Sequence, residues 1–236
     1  MNVELINYTQ NAKDLLIFTK NTRLNMAASF EQVELMDEQE KQDQLDYMVN
    51  TIKSSWEFVD FTFNVTGVTR AFTHQLVRNR HGSYAQQTMR ILEMEGFKYV
   101  TGPTIRNEYQ KSLYDAAMES IQYAYDNLIE SGVSIEDARG ILPTNICTNI
   151  TVKFNLRTLS DMMASRASCR TQGEYRDVLN DMYDLCVSAL PWIAPFLRDS
   201  KTHACNQLES IIKDRWDGTT VCTDYVKLID IVRNSK

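Results

Sequence analysis

Strand-like and helix-like periodicities are very unevenly distributed along this 236-residue chain. Apolar and polar residues alternate, as in half-buried strands, in Val3–Tyr8, Phe61–Val65 and Ile150–Phe154. Apolar residues recur every three or four positions, as in amphipathic helices, over longer stretches: 41–54, 69–79, 107–131, 135–140, 158–168, 172–188 and, more weakly, 204–214. Because the helical stretches differ greatly in length, a regular βαβ series is disfavoured. We expect a helix-rich α+β fold with a small mixed or antiparallel sheet.

Linker-like composition is missing from the chain. It has only eight glycines and four prolines, and no Ser/Gly-rich or low-complexity segment interrupts it. We therefore expect one domain over residues 1–236, in which 196–236 form a C-terminal extension of uncertain role. Local signals predict two helix starts, with Ser134 as one N-cap and Thr158 as another, paired with Asp161 in a capping-box-like spacing.

Hydropathy and cysteine spacing indicate the cellular compartment of the protein. No run of 18 apolar residues is present, and the N-terminus has no basic region leading into a hydrophobic stretch, so we expect a cytoplasmic protein without a membrane span. The five cysteines are widely spaced and contain no Cys-x-x-Cys pair. This favours reduced, mostly buried thiols over a disulfide framework or a zinc site.

Charge is distributed in a way that points to a small anion. The net charge of −6 argues against general binding to nucleic acid, which requires broad basic surfaces. Yet residues 61–92 contain no acidic side chain and include Arg70, Arg78, Arg80 and Arg90. Such a stretch suits an anion site. It equally suits a helix face paired with acids from elsewhere in the chain.

Several common enzyme signatures are absent. The chain has no Gly-x-Gly-x-x-Gly, no Gly-Lys-Ser/Thr phosphate loop, no His-Glu-x-x-His and no Gly-x-Ser-x-Gly. A Rossmann dinucleotide fold, a P-loop kinase, a zincin and an α/β-hydrolase are therefore disfavoured. Three histidines also make a histidine-based metal cluster improbable.

Within the acid-free stretch, the spacing of polar residues suggests how an anion could be bound. A helix over 69–79 would place Gln75 and Arg78 on one polar face. In an extended segment, Thr88 and Arg90 would point the same way and could bind one phosphate monoester. Arginines also stack on planar rings, which suits a pyrimidine or an isoalloxazine. The alternative is a set of surface arginines in a loop.

A second polar group follows the strand near residue 150. Asn155, Arg157 and Asp161 lie at a strand-to-helix junction, where free backbone N–H groups favour anions. Further along the same helix, Arg166 lies close to the face of Met162 and Met163. By itself, such an arginine more often covers apolar surface than takes part in catalysis.

Several blocks together resemble the flavin-dependent thymidylate synthases, the ThyX family. The blocks are 67–80 continuing through 83–90, with Arg78-Asn-Arg80 and Thr88-Met-Arg90; 138–143; 155–159 with Arg166; 172–174; and 191–192. The resemblance runs in order from about residue 50 to 195.

The resemblance implies a homotetramer with active sites shared between subunits, bound FAD, methylenetetrahydrofolate as one-carbon donor and NADPH as reductant. The product would be dTMP made from dUMP. By resemblance, the nucleotide-binding residues are Gln75, Gln87, Thr88, Arg90, Arg139 and Arg166. The FAD-binding residues are Ser54, Glu57, Arg78, Asn79, Arg80, Gln86, Asn155, Arg157 and Asp161. Arg166, Arg78 and Arg80 are the implied catalytic residues.

The chain departs from the family pattern near the expected flavin and folate. Asn79 replaces the central histidine of the Arg-His-Arg hallmark, Thr88 replaces its serine, and Ile91 stands where a tyrosine is usual. Ile52 and Phe58 occupy two further histidine positions. Losing imidazoles removes groups that exchange protons near neutral pH. Two alternatives to thymidylate synthesis stay open: a 5-hydroxymethylase acting on dUMP or dCMP, and an inactive homologue that binds flavin or nucleotide.

Overall fold

A four-stranded antiparallel sheet lies among helices in the computed structural model, which describes residues 1–24, 29–166, 171–198, 205, 208, 211–212, 216 and 219–234. The strand order is β1-β2-β4-β3. The strands are β1 (Asn2–Tyr8), β2 (Asp60–Thr69), β3 (Ser83–Gln86) and β4 (Cys147–Asn155). The predicted helix-rich α+β class is confirmed.

Helices make up most of the rest of the described chain. They are α1 (Ala12–Asn21), α2 (Phe30–Glu34), α3 (Glu38–Val49), α4 (Arg70–Leu76), α5 (Glu108–Glu130), α6 (Ile135–Ala138), α7 (Leu156–Arg166), α8 (Gly173–Ala189), α9 (Ala194–Leu197) and α10 (Thr220–Asn234). Short 3-10 turns cover Lys53–Phe58, Arg139–Ile141 and Pro191–Ile193.

The alternation read from the sequence corresponds to real strands. All three predicted segments lie within β1, β2 and β4, and in β2 the side chains of Phe61, Phe63 and Val65 are fully buried while their neighbours are partly exposed. β2 also contains Gly67 at a φ of 67°, a conformation that glycine adopts without strain. The Gly67 N–H donates to Oδ1 of Asn149 at 3.0 Å.

The helix predictions were correct in position more often than in boundary. The predicted stretches 107–131, 135–140 and 172–188 correspond closely to α5, α6 and α8, and Ser134 caps α6 by accepting the Asp137 N–H. The predicted helix 41–54 instead occupies Glu38–Val49. Most of the predicted stretch 204–214 lies outside the described residues, although 205, 208 and 211–212 are helical.

Two details of the predicted helices were wrong. The helix expected over 69–79 ends at Leu76, so Arg78 lies beyond it and not on its polar face. The helix expected to start at Thr158 starts two residues earlier, because Oδ1 of Asn155 accepts the Thr158 N–H at 2.8 Å and so acts as the cap.

The described chain divides into two compact units, each built from non-contiguous segments. Unit 1 comprises residues 1–2, 64–78 and 84–152, and unit 2 comprises residues 3–63, 79–83 and 153–236. Phe72 and Tyr125 are among the fully buried side chains of unit 1. Trp56, Phe154 and Tyr175 are among those of unit 2. The prediction of one cooperative domain stays a prediction.

Thiols and the C-terminal region complete the fold. Cys186, Cys205 and Cys222 are buried free thiols and Cys147 is partly buried, as expected, whereas Cys169 lies outside the described residues. Burial raises the pKa of the Cys186 thiol.

The C-terminal extension contributes a small apolar cluster of Cys205, Ile212, Cys222 and Ile229. Within the described segments, no helix is both long and apolar enough to cross a membrane.

Candidate functional site

The start of α4 fixes the first part of the acid-free stretch. The Thr69 hydroxyl accepts the Phe72 N–H at 3.0 Å and so caps the helix, while the side chains of Phe72 and Leu76 are buried. Gln75 therefore lies in the last turn of α4, partly exposed, and Arg78 lies exposed just after it. The backbone of Arg70 is fixed as well, since its N–H donates to the Ile146 carbonyl at 3.1 Å.

Arg70 and Arg139 form a pair of neighbouring cations in unit 1. Nη2 of Arg70 donates to the Gln87 carbonyl at 2.6 Å, and the Gln87 N–H in turn donates to the Asn149 carbonyl at 3.0 Å. Burial lowers the pKa of Arg70, and the positive charge of Arg139 lowers it further. Two guanidiniums that repel each other are a favourable place for an anion.

The end of β3 holds Gln86, a flavin candidate, and the segment after it holds the nucleotide candidates Gln87, Thr88 and Arg90. Nε2 of Gln86 donates to Oγ1 of Thr73 at 2.8 Å, which fixes the amide. The chain then bends at residues 89–90, and the Thr88 hydroxyl accepts the N–H of Arg90 at 3.1 Å. The condition for Thr88 and Arg90 to point the same way, an extended segment, is therefore not met, because the Thr88 hydroxyl bonds a nearby backbone N–H where the chain bends.

A cavity of about 260 Å³ in unit 2 brings together three of the residues expected at the flavin: Asn79, Arg80 and Asp161. The other lining residues are His81, Thr158, Met162 and Ser165. A guanidinium, an amide, a carboxylate, two hydroxyls and an imidazole supply donors and acceptors, while the Met162 thioether supplies an apolar surface. Such a mixed lining suits a planar heterocycle with polar edges.

Three other residues expected at the flavin in unit 2, Glu57, Arg157 and Ser54, already have polar partners. Arg157 forms an ion pair with Glu57, Nη1 to Oε1, at 2.6 Å, and both side chains are about half exposed. Ser54 accepts a hydrogen bond from Nη1 of Arg23 at 2.9 Å. Nζ of Lys53 contacts Oδ1 of Asp161 at 3.3 Å and connects this segment to the cavity. Neither Lys53 nor Arg23 was identified from the sequence.

Tyr175 joins two residues that the sequence singled out separately. Its hydroxyl accepts a hydrogen bond from Nδ2 of Asn79 at 2.9 Å. The Arg166 guanidinium lies over its ring, 5.6 Å from the centroid. Burial raises the pKa of the Tyr175 phenol, although the Asn79 bond and the nearby Arg166 charge oppose the shift. Sequence reasoning missed Tyr175, and its only signal was the adjacent block 172–174.

The candidate residues fall into two sets. Unit 1 holds Gln75, Arg78, Gln86, Gln87, Thr88, Arg90 and Arg139, and unit 2 holds Ser54, Glu57, Asn79, Arg80, Asn155, Arg157, Asp161 and Arg166. Arg78, Arg80 and Arg90 are exposed, and none of their side chains is paired with another described residue. Among the described residues, no group of three or more His, Cys, Asp or Glu could hold a metal ion.

Comparison with known proteins identifies relatives along most of the chain. The model of a family described as thymidylate synthase complementing protein matches residues 4–192. A flavin-dependent thymidylate synthase from Clostridium tetani is 31% identical over 217 residues, covering 83% of this chain and 84% of that protein. One from Sulfurisphaera tokodaii is 32% identical over 75% of this chain and 70% of its own. One from Nitratidesulfovibrio vulgaris is 39% identical over 57% of this chain and 59% of its own.

Proposed function

Because the chain belongs to the thymidylate synthase complementing protein family, we propose that it converts dUMP to dTMP in a flavin-dependent reaction. Methylenetetrahydrofolate donates the one-carbon unit to C5 of the pyrimidine. The observation that carries the proposal is the unit 2 cavity, where Asn79, Arg80 and Asp161 lie together. The names of the relatives favour methylation over the hydroxymethylase and inactive alternatives.

The chemistry of the cavity fits a flavin. An isoalloxazine has carbonyl oxygens and an N–H at one edge and an apolar benzenoid ring at the other. Arg80 and Asn79 supply donors for the carbonyls, Asp161 supplies an acceptor for the N–H, and Met162 supplies apolar contact. A volume of about 260 Å³ suits the ring system, so the rest of FAD would extend beyond the cavity. When bound, the flavin supplies the hydride that completes the methyl group.

The unit 1 residues are assigned to the nucleotide, largely through its phosphate. Gln75, Gln87, Thr88, Arg90 and Arg139 supply amides, a hydroxyl and two guanidiniums. The mutual repulsion of Arg70 and Arg139 supports this assignment, because a phosphate dianion near both would relieve it. Arg78 and Gln86 are assigned to the flavin, as the family resemblance implies.

Arg166 is assigned to the pyrimidine ring, where it acts by charge. The aromatic face of Tyr175 holds its guanidinium in a partly buried position. A cation fixed before the reaction begins stabilises negative charge that develops on the ring oxygens without having to reorganise. Arg78 and Arg80 complete the proposed catalytic set. None of these groups is a nucleophile, so orientation and charge are what the protein contributes.

Three further features belong to the proposal. NADPH is the source of reducing equivalents, the protein is a homotetramer whose active sites are shared between subunits, and its location is cytoplasmic. The ThyX-like arrangement of the motifs supports the first two. The free thiols among the described cysteines support a reducing compartment. Light scattering coupled to size-exclusion chromatography tests the tetramer directly.

A product assay tests the function. Purified protein is examined for bound FAD by visible absorbance and then incubated with methylenetetrahydrofolate, NADPH and either dUMP or dCMP, and the nucleotide is identified by mass. A methylated product from dUMP alone is expected. A hydroxymethylated product, or turnover of dCMP, would replace the proposal with the hydroxymethylase reaction. Protein that takes up no FAD would exclude both enzymatic functions.

A further inference from the structure

Asn79 occupies the hallmark position at which the family pattern has histidine, and the structure shows what holds it. Its carboxamide lines the unit 2 cavity, and its Nδ2 donates to the hydroxyl of Tyr175 at 2.9 Å. Tyr175 is the third residue of α8 and is fully buried. The phenol is therefore a rigid anchor for an amide at the wall of the cavity.

The same phenol also holds Arg166. The Arg166 guanidinium lies over the aromatic ring of Tyr175, 5.6 Å from the ring centroid. A cation over the face of an aromatic ring is attracted by the negative charge of that face, so this contact involves the ring and not the hydroxyl that accepts from Asn79. Tyr175 thus holds two side chains with different parts of one phenol, Arg166 with the ring and Asn79 with the hydroxyl.

We propose that Tyr175 is a positioning residue for the reaction, orienting Asn79 toward the flavin and Arg166 toward the pyrimidine. The inference rests on the proposed function. An amide cannot exchange protons as an imidazole does near neutral pH, so Asn79 serves by hydrogen bonding, and its orientation then matters. A buried tyrosine loses little conformational freedom when it holds a partner, which makes it a suitable anchor.

The hydroxyl and the aromatic ring of Tyr175 can be removed separately. Tyr175→Phe keeps the ring beneath Arg166 but removes the hydroxyl that accepts from Asn79. We expect a shifted visible spectrum of bound FAD and a fall in kcat of about tenfold, with KM for dUMP within about twofold of wild type. Tyr175→Leu also removes the aromatic face, so KM for dUMP should rise about tenfold as well.

A double-mutant cycle tests whether Tyr175 acts through Asn79. Asn79→Ala removes the same hydrogen bond from its other end, so it also serves if a Tyr175 variant fails to fold. We expect the Asn79→Ala/Tyr175→Phe double variant to lose no more in kcat than the more impaired single variant. Losses that multiply would overturn the inference, because two independent residues behave in that way.

A matched control separates positioning from stability. Tyr125 is also buried, lies in unit 1, and its hydroxyl accepts the Met94 N–H at 3.1 Å. Tyr125→Phe should lower Tm by a similar amount without changing the flavin spectrum. If the wild-type protein is active and Tyr175→Phe lowers Tm without changing the flavin spectrum, the inference is wrong and the proposed function stands. If the wild-type protein binds no FAD, both are wrong.

Discussion

At the scale of single residues, Arg70 and Arg139 combine two features that are unfavourable for stability. The positive charge of Arg139 lowers the pKa of Arg70, and Nε of Arg70 is buried without a hydrogen-bond partner among the described residues. Both features are unfavourable in the folded, ligand-free protein. A bound anion would compensate for both features, which supports the proposed phosphate site.

Replacing Arg139 by glutamine should therefore separate stability from binding. Arg139→Gln removes the repulsion of Arg70, an exposed hydrogen bond from Nε to the Glu136 carbonyl at 3.1 Å, and a weak, half-exposed contact with the Glu136 carboxylate at 3.9 Å. We expect the free energy of unfolding of the ligand-free protein to stay within about 0.5 kcal/mol of wild type or to rise, measured by urea titration. KM for dUMP should rise about 10- to 100-fold, as expected for a lost charge-assisted hydrogen bond.

The control for this variant is another arginine of unit 1. Arg106 is exposed, and its Nε donates to the Pro103 carbonyl at 3.3 Å. Arg106→Gln should leave KM for dUMP unchanged, because this side chain has no part in the proposed site. An Arg139→Gln protein that binds dUMP as tightly as wild type would remove Arg139 from the phosphate site.

At the scale of elements, α7 is positioned by its first residues. Oδ1 of Asn155 caps the helix, and the Leu156 N–H donates to the Val59 carbonyl at 2.7 Å. Leu156 and Leu159 are fully buried, so the face that carries Asp161 is fixed relative to the rest of unit 2. The cap therefore determines where the cavity residues of α7 lie.

Substitution of Asn155 distinguishes capping from cofactor binding. Asn155→Ala should lower the free energy of unfolding by about 1 kcal/mol, whereas Asn155→Asp should retain most of it, because a carboxylate also caps. If Asn155 also contacts FAD, the aspartate variant should bind FAD more weakly despite its normal stability. Urea unfolding and FAD titration measure the two effects. Equal destabilisation by both substitutions would contradict the capping role.

Tyr99 supplies a second element-scale test, through pH. Its hydroxyl donates to Oδ1 of Asp115 on α5 at 2.7 Å, and this bond raises the pKa of Tyr99 to about 12. The ordinary tyrosine pKa is about 10. Because the folded-state pKa is the higher one, the stabilisation is complete below about pH 10 and is lost as pH rises from about 10 to about 12.

Tyr99→Phe should accordingly be destabilised relative to wild type by about 1 kcal/mol near pH 8. The difference should shrink near pH 11, where the unfolded wild-type chain gains by ionising Tyr99. Tyr109→Phe is the control, because Tyr109 lies on α5, the helix that carries Asp115, and is 74% exposed. Urea titrations of the three proteins at both pH values measure the effect. A difference that does not change with pH would show that the Asp115 bond does not stabilise the fold.

Sequence patterns predicted the elements that bury a regular face and failed where local polar contacts decide. The alternation in β2 and the spacing in α5 follow directly from burial. β3 has only four residues, two of them polar, and was not predicted. α1 and α10 were also not predicted, and α1 begins without a side-chain cap. The bend at Arg90 and the anchor at Tyr175 depend on individual hydrogen bonds that no periodicity encodes.

At the scale of the whole molecule, neither unit is a continuous piece of chain. Unit 1 is assembled from three segments and unit 2 from three others, and both β2 and β4 contribute residues to each. A unit of this kind cannot form without bringing together residues distant in sequence, which costs loop-closure entropy. This connectivity favours unfolding as one cooperative transition.

We therefore expect one calorimetric transition in the absence of ligand. FAD should raise the Tm of that whole transition, because a ligand that binds only the folded state stabilises it by about 2.7 kcal/mol at a hundred times its Kd. Fluorescence of Trp56, Trp192 and Trp216, all in unit 2, should follow the same curve as far-ultraviolet circular dichroism. If tryptophan fluorescence changes before the helical signal does, unit 2 unfolds independently. In that case, FAD should shift only the fluorescence transition, and the single-domain prediction would be wrong.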